Sequence, residues 1–170
     1  MEPFVYQSDG EAETAILGAA LAELLPDGSV VALSGTLGSG KTRLVQAVAE
    51  AAGIDRRSVV SPTFVLVHEY HGRRTLYHID AYRLRDEDEF LQLGPEEYFE
   101  SAGLTLVEWA DRVARCLPRE CLKVDIQVTG TQSRRFEITA QGDSYAGIIR
   151  SLQTRFPPRQ PNPFPTSGVE

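Results

Sequence analysis

The run from Val30 to Gly53, VVALSGTLGSGKTRLVQAVAEAAG, constrains the chain more than any other stretch. A short apolar segment ending at Ser34 passes into Gly35-Thr36-Leu37-Gly38-Ser39-Gly40-Lys41-Thr42, and apolar residues then recur at Leu44, Val45, Val48 and Ala52. That periodicity reads strand, glycine loop, helix. The glycine spacing is G-x-x-x-x-G-K-T, the P-loop pattern. Glycines let the backbone curl until successive N–H groups point inward at a polyphosphate, and the following helix adds the positive end of its dipole. Lys41 would then supply a point charge for the β- and γ-phosphates, and the Thr42 hydroxyl a ligand for Mg²⁺. The plainer alternative, a glycine-rich turn joining a strand to a helix, does not require Lys and Thr at those positions.

Composition narrows the class further. A chain of 170 residues suits one domain with a real core, and 42% hydrophobic with 24% charged residues is ordinary for a soluble globular protein. No run nears the roughly 20 apolar residues of a membrane span, and the start MEPFVYQSDGE lacks the basic flank and apolar centre of a signal peptide. A cytoplasmic protein with no membrane association is expected. A net charge of −7 argues against bulk electrostatic binding to nucleic acid, which needs a basic face. The pairs Arg56-Arg57, Arg73-Arg74 and Arg134-Arg135 read as solvated surface pairs. Cys116 and Cys121 fit neither a disulfide framework nor a zinc ligand set, so they read as buried or incidental thiols.

Taken in order, Phe4-Val5-Tyr6 is a short strand, and Ser8 with Glu11 fits a capping box for a helix with apolar residues from Ala12 to Leu24. That helix stops before Pro26-Asp27-Gly28, and Gly53 stands where the P-loop helix would end. The β-rich runs Ser58–Tyr70 and Thr75–Asp80, joined by His71-Gly72-Arg73-Arg74, read as an antiparallel hairpin, with Ser61-Pro62-Thr63 as a turn before its first strand. Acidic helical pieces at Asp86–Leu93 and Pro95–Phe99 follow, with Phe90, Leu91, Tyr98 and Phe99 as buried anchors. Leu104–Glu108 is an apolar strand, Ala110–Leu117 a short helix, Leu122–Thr129 and Arg134–Thr139 a second hairpin, and Tyr145–Leu152 a closing helix. Residues 1–156 thus make one domain, and the proline-rich stretch 157–170 a disordered tail. Alternating strands and helices with two hairpins predict a three-layer α/β fold of P-loop type around a mixed sheet.

A P-loop needs a carboxylate at the end of a neighbouring strand to hold Mg²⁺ and to orient an attacking water. Glu108 ends the run LTLV and Asp80 ends TLYHI, so both are candidates. Either could instead cap the element that follows it, but their joint occurrence at strand ends favours a site. Trp109 reads as a packing residue beside Glu108, and His78, on the same strand face as Asp80, as a hydrogen-bonded structural residue.

The blocks GTLGSGKT, SPTF, HIDAYRL and VEWADR, in this order and spacing, resemble the TsaE family of bacterial ATPases required for threonylcarbamoyladenosine formation on tRNA. The resemblance covers about residues 8 to 140, including Thr14 and Gly18 in the first helix. It implies ATP and Mg²⁺ as cofactors, TsaD and TsaB as protein partners, and contact with tRNA only through that complex. It also implies a nucleotide site built from Thr14, Gly38, Ser39, Gly40, Lys41 and Thr42, a metal held by Thr42 and Glu108, and catalysis assisted by Asp80 and Lys41. Ala81 departs from a common Leu, and Ala110-Asp111 from a frequent Pro-Glu, outside the motif positions. A small-molecule kinase is the rival reading, but Arg83, Arg85 and Arg112 do not form an arginine-rich lid segment. A GTPase would need an Asn-Lys-x-Asp block that the chain lacks. A P-loop scaffold without turnover is the third reading.

Overall fold

The computed structural model describes residues 2–61 and 66–158. Pro62 and Thr63 of the expected turn, Phe64 and Val65 of the expected strand, and the tail from residue 159 lie outside them. Strand β1 (Phe4–Ser8) leads to helix α1 (Glu11–Leu24), β2 (Val30–Gly35) and α2 (Lys41–Ala51). The hairpin β3 (Val67–His71) and β4 (Thr75–Asp80) is followed by α3 (Glu87–Gln92), α4 (Pro95–Phe99) and β5 (Leu104–Glu108). A second hairpin, β6 (Cys121–Val128) and β7 (Arg134–Gln141), precedes α5 (Ala146–Arg155). Short 3₁₀ segments occupy Arg56–Ser58 and Ala110–Cys116.

The seven strands form one sheet in the order β1-β7-β6-β2-β5-β4-β3. Its middle, β6-β2-β5-β4, is parallel, and the outer pairs β1–β7, β7–β6 and β4–β3 are antiparallel. The mixed sheet expected from two hairpins is present. Strands β2 and β5 sit at the centre because VVALSG and LTLVE offer apolar side chains to both faces. Val31 and Leu33 of β2 turn to one side, into a core with Leu17 and Leu21 of α1, Leu44 and Val48 of α2, and Ile149 and Leu152 of α5. Val30 and Ala32 turn to the other, against Ile79, Leu84, Phe90, Val107 and Val113. Helices cover both faces, giving the expected three layers. Leu17, Leu33, Leu44 and Leu106 have no exposed surface, so trimming any one to Ala costs about 2–5 kcal/mol.

Helices α1 and α2 cross where Gly18 faces Ala47. A Cβ on Gly18 would lie 2.3 Å from the Ala47 Cβ, so this approach requires the missing side chain. At the end of α2, Gly53 takes φ +83 and its N–H donates to the Glu50 carbonyl, as expected of a residue that stops a helix.

Several local expectations change. Ser8 does not cap α1: pairing with Arg134 keeps it in β1, and the helix begins only after Gly10. Its hydroxyl donates instead to the Gly10 carbonyl at 2.7 Å, and Glu13 rather than Glu11 accepts, from the Asp9 N–H at 2.7 Å. Ser58 ends a 3₁₀ turn closed by Asp55 rather than opening a strand, because the Asp55 side chain competes for the Arg57 N–H at 3.0 Å. Leu91 is 46% exposed, since a helix as short as α3 presents only Phe90 to the sheet. The helix after β5 is a 3₁₀ segment broken at Val113, which has φ −127.

Candidate functional site

The parallel registry of β2, β5 and β4 brings three chain segments to one level. Leu33 lies opposite Glu108, and Glu108 opposite Asp80, at the ends where these strands leave the sheet. The glycine loop departs from β2, beside β5. Gly35 takes φ +147, and a Cβ there would meet the Ile126 carbonyl and the Ser39 hydroxyl at 2.6 Å each. Gly38 at φ +75 and Gly40 at φ +103 complete the reversal, and the Ser39 N–H closes it by donating to the Thr36 carbonyl at 3.0 Å. Gly40 begins α2 without a side-chain cap, so the first turn of an 11-residue helix faces the cleft with its donors uncovered by a cap.

Lys41 is only 4% exposed. Its Nζ donates to the carbonyls of Gly35 at 2.7 Å and Thr36 at 3.0 Å, and lies 3.8 Å from the centre of the Trp109 ring. Burial draws this ammonium below its ordinary 10.5, against the opposing pull of Glu108, Asp111 and Asp80. Trp109 takes φ +57, a left-handed conformation uncommon for a bulky residue, and its indole packs on Tyr82 with ring centres 4.8 Å apart.

The carboxylates are held firmly. Thr42 Oγ1 donates to Glu108 Oε1 at 2.7 Å, and His78 Nε2 donates to the same oxygen at 2.7 Å. His78 is fully buried and Glu108 is 3% exposed. Among the described residues the His78 Nδ1 finds no hydrogen-bond partner, so the pairing with Glu108 is what orients the ring. Asp80 accepts from the Ser61 hydroxyl through Oδ2 at 2.7 Å and from the Tyr82 N–H through Oδ1 at 2.9 Å.

Thr14, Gly38, Gly40, Lys41, Thr42, Asp80 and Glu108 line one cleft of about 670 Å³. Ser39 contributes differently. The whole residue is buried beneath the loop, its hydroxyl 3.4 Å from Lys41 Nζ and its N–H and carbonyl taken by Thr36 and Arg134. Thr14 reaches the rim through a hydroxyl pair with Ser8 at 2.9 Å. Sequence reasoning missed Arg134, whose guanidinium donates to the Ser39 carbonyl at 2.8 Å rather than standing in solvent. Only an Arg-Arg pair opening a strand marked it. Of the arginines weighed for a kinase lid, Arg85 binds Glu89 at 2.6 Å and Arg112 donates to the Leu84 carbonyl at 3.0 Å.

The donor set suits a hard divalent cation. A threonine hydroxyl and a carboxylate in contact are oxygen ligands of the kind Mg²⁺ takes, one or two from protein with the rest from water and phosphate. Among the described residues no group of three or more His, Cys, Asp or Glu forms a dedicated metal cage.

A three-layer mixed sheet with a glycine loop running from its central strand into a helix defines a P-loop NTPase-like protein. Residues 8–136 match the family described as threonylcarbamoyl adenosine biosynthesis protein TsaE. The TsaE protein of Treponema pallidum is 39% identical over 126 residues, covering 74% of this chain and 93% of that one. The TsaE protein of Bacillus subtilis is 38% identical over 153 residues, covering 89% and 95%. The crystal structure of YdiB from Bacillus subtilis superposes with a TM-score of 0.75 at 30% identity, covering 91% of this chain and 96% of that one. The chain belongs to the TsaE family.

Proposed function

We propose that this protein is the ATP-binding and ATP-hydrolysing accessory factor of tRNA N6-threonylcarbamoyladenosine formation, working in the cytoplasm with TsaB and TsaD. The observation that carries the reading is the convergence of Lys41, Thr42, Glu108 and Asp80 on one cleft at the mouth of the glycine loop. The relatives' names supply the process, since they are tRNA threonylcarbamoyladenosine biosynthesis proteins.

The loop N–H groups and the first turn of α2 hold the phosphates, and Lys41 exchanges the Gly35 and Thr36 carbonyls for phosphate oxygens. Thr42 and Glu108 would hold Mg²⁺, and the ion would supply charge neutralisation to the phosphates. Asp80 orients the attacking water, and its bond to Ser61 ties it to the segment that follows α2. Transfer to water is the reading that Asp80 on the cleft wall supports. Arg85 and Arg112 are committed to Glu89 and Leu84, which disfavours the kinase reading.

The test is a titration of the purified protein with ATP and GTP, with Mg²⁺ and with chelator, alongside capture of TsaB and TsaD. Tighter ATP than GTP binding, Mg²⁺-dependent phosphate release and nucleotide-dependent capture are expected. Failure to bind either nucleotide would overturn the reading, and transfer of phosphate to a small metabolite would replace it with the kinase.

A further inference from the structure

We propose that Arg134 is the positioning residue of the glycine loop, holding the Ser39–Gly40 peptide plane so that its N–H faces phosphate and the Gly38–Ser39 plane so that the turn stays closed. The inference rests on the reading of that loop as a phosphate site. Arg134 opens β7 and lies between Ser8 of β1 and Val128 of β6, so its backbone is held on both sides. From this anchor the guanidinium spans two structures. Nε donates to the Ser39 carbonyl at 2.8 Å and Nη2 to the Gly38 carbonyl at 3.3 Å, on the loop. Nη1 donates to the carbonyls of Ser133 at 2.9 Å and Gly130 at 3.1 Å, in the turn joining β6 to β7.

In a trans peptide the C=O and the next N–H point in opposite directions. Capturing the Ser39 carbonyl therefore aims the Gly40 N–H away from the guanidinium. Capturing the Gly38 carbonyl sets the Ser39 N–H, which donates to Thr36 and closes the turn. Both planes need this restraint, because Gly38 and Gly40 flank Ser39 with residues whose backbone rotates freely. A flipped plane would turn a carbonyl oxygen toward phosphate oxygens, and like partial charges repel. Five donors in a rigid fork suit this task, and a lysine could not span the same carbonyls.

The experiment compares ATP and inorganic tripolyphosphate as probes on the wild type, Arg134→Lys and Arg134→Gln, with thermal melting as the check on folding. Both variants should lose about tenfold or more in affinity, by the same factor for ATP and for tripolyphosphate, the scale of losing a charge-assisted bond. Arg134→Lys is the decisive variant, since it keeps the charge and removes the fork; it decides alone if Arg134→Gln fails to fold. Full affinity in folded Arg134→Lys would overturn the proposal and leave only a charge effect. A loss confined to ATP would overturn it in favour of a contact with the nucleoside. A wild type that binds neither probe would remove the phosphate reading itself, whereas a wild type that binds and an unaffected variant remove only the role of Arg134.

Discussion

His78 Nε2 donates to Glu108 Oε1 at 2.7 Å from the adjacent strand, and both side chains are shut away from solvent. Glu108 ends β5 and His78 stands two residues before the end of β4, where register sets His78 opposite Leu106 and Asp80 opposite Glu108. Glu108 Oε1 also accepts from Thr42, so one oxygen joins the central strands to the first turn of α2. The rotamer of the proposed metal ligand is thus selected before any ion arrives.

Replacing His78 by Phe should destabilise the fold by about 1–3 kcal/mol, because Glu108 loses a buried donor. His78→Gln, whose amide can reach the same oxygen, should recover most of that loss. Urea denaturation of the three proteins measures it, and equal stabilities would show that the bond is dispensable.

Glu108→Gln and Asp80→Asn should separate metal binding from hydrolysis. Glu108→Gln removes charge from the metal shell and should weaken nucleotide binding in Mg²⁺ more than in chelator. Asp80→Asn should keep MgATP affinity within a few fold and lower turnover by about 10²-fold or more, the scale of losing a positioned base. Calorimetric titration with phosphate-release assays decides the matter. If both variants lose binding and turnover alike, the proposed division of labour is wrong.

Lys41 carries a pH dependence with a definite sign. Its folded pKa is lowered by burial, so above that pKa the unfolded chain binds the additional proton, and stability rises with pH up to the ordinary 10.5. Lys41→Met should lack this alkaline rise and should not bind ATP, while remaining folded. Unfolding free energies measured from neutral pH to about 10 on both proteins check it; parallel curves would contradict the assigned cause.

Trp109 is the sole tryptophan, and the ammonium of Lys41 lies 3.8 Å from its ring centre. Nucleotide that draws Lys41 toward phosphate should change the emission of this indole. A titration in which ATP binds by calorimetry yet leaves the fluorescence unaltered would show that Lys41 does not leave the ring.

Gly18→Ala should cost about 1–3 kcal/mol, the usual scale of overpacking, because the new methyl meets the Ala47 Cβ. The melting temperature should fall by about 2–4 °C for each kcal/mol. Gly18→Ala combined with Ala47→Gly should restore part of it.

The spacing of Gly35, Gly40, Lys41 and Thr42 was enough to place a glycine loop between a strand and a helix, since glycine tolerance of positive φ is a local property. The apolar runs of β2 and β5 likewise announced buried strands, and the carboxylates ending TLYHI and LTLV announced the edge on which a site could form. The sequence could not say that Ser8 would stay in β1, because its partner Arg134 is brought beside it only by sheet pairing. Nor could it distinguish Arg134 from Arg135, since the guanidinium meets the Ser39 carbonyl across 95 positions of chain. The order β1-β7-β6-β2-β5-β4 decided those matters: it is non-local hydrogen bonding between strands that stacks Leu33, Glu108 and Asp80 at one level and lets Arg134 bridge the β6–β7 turn and the loop.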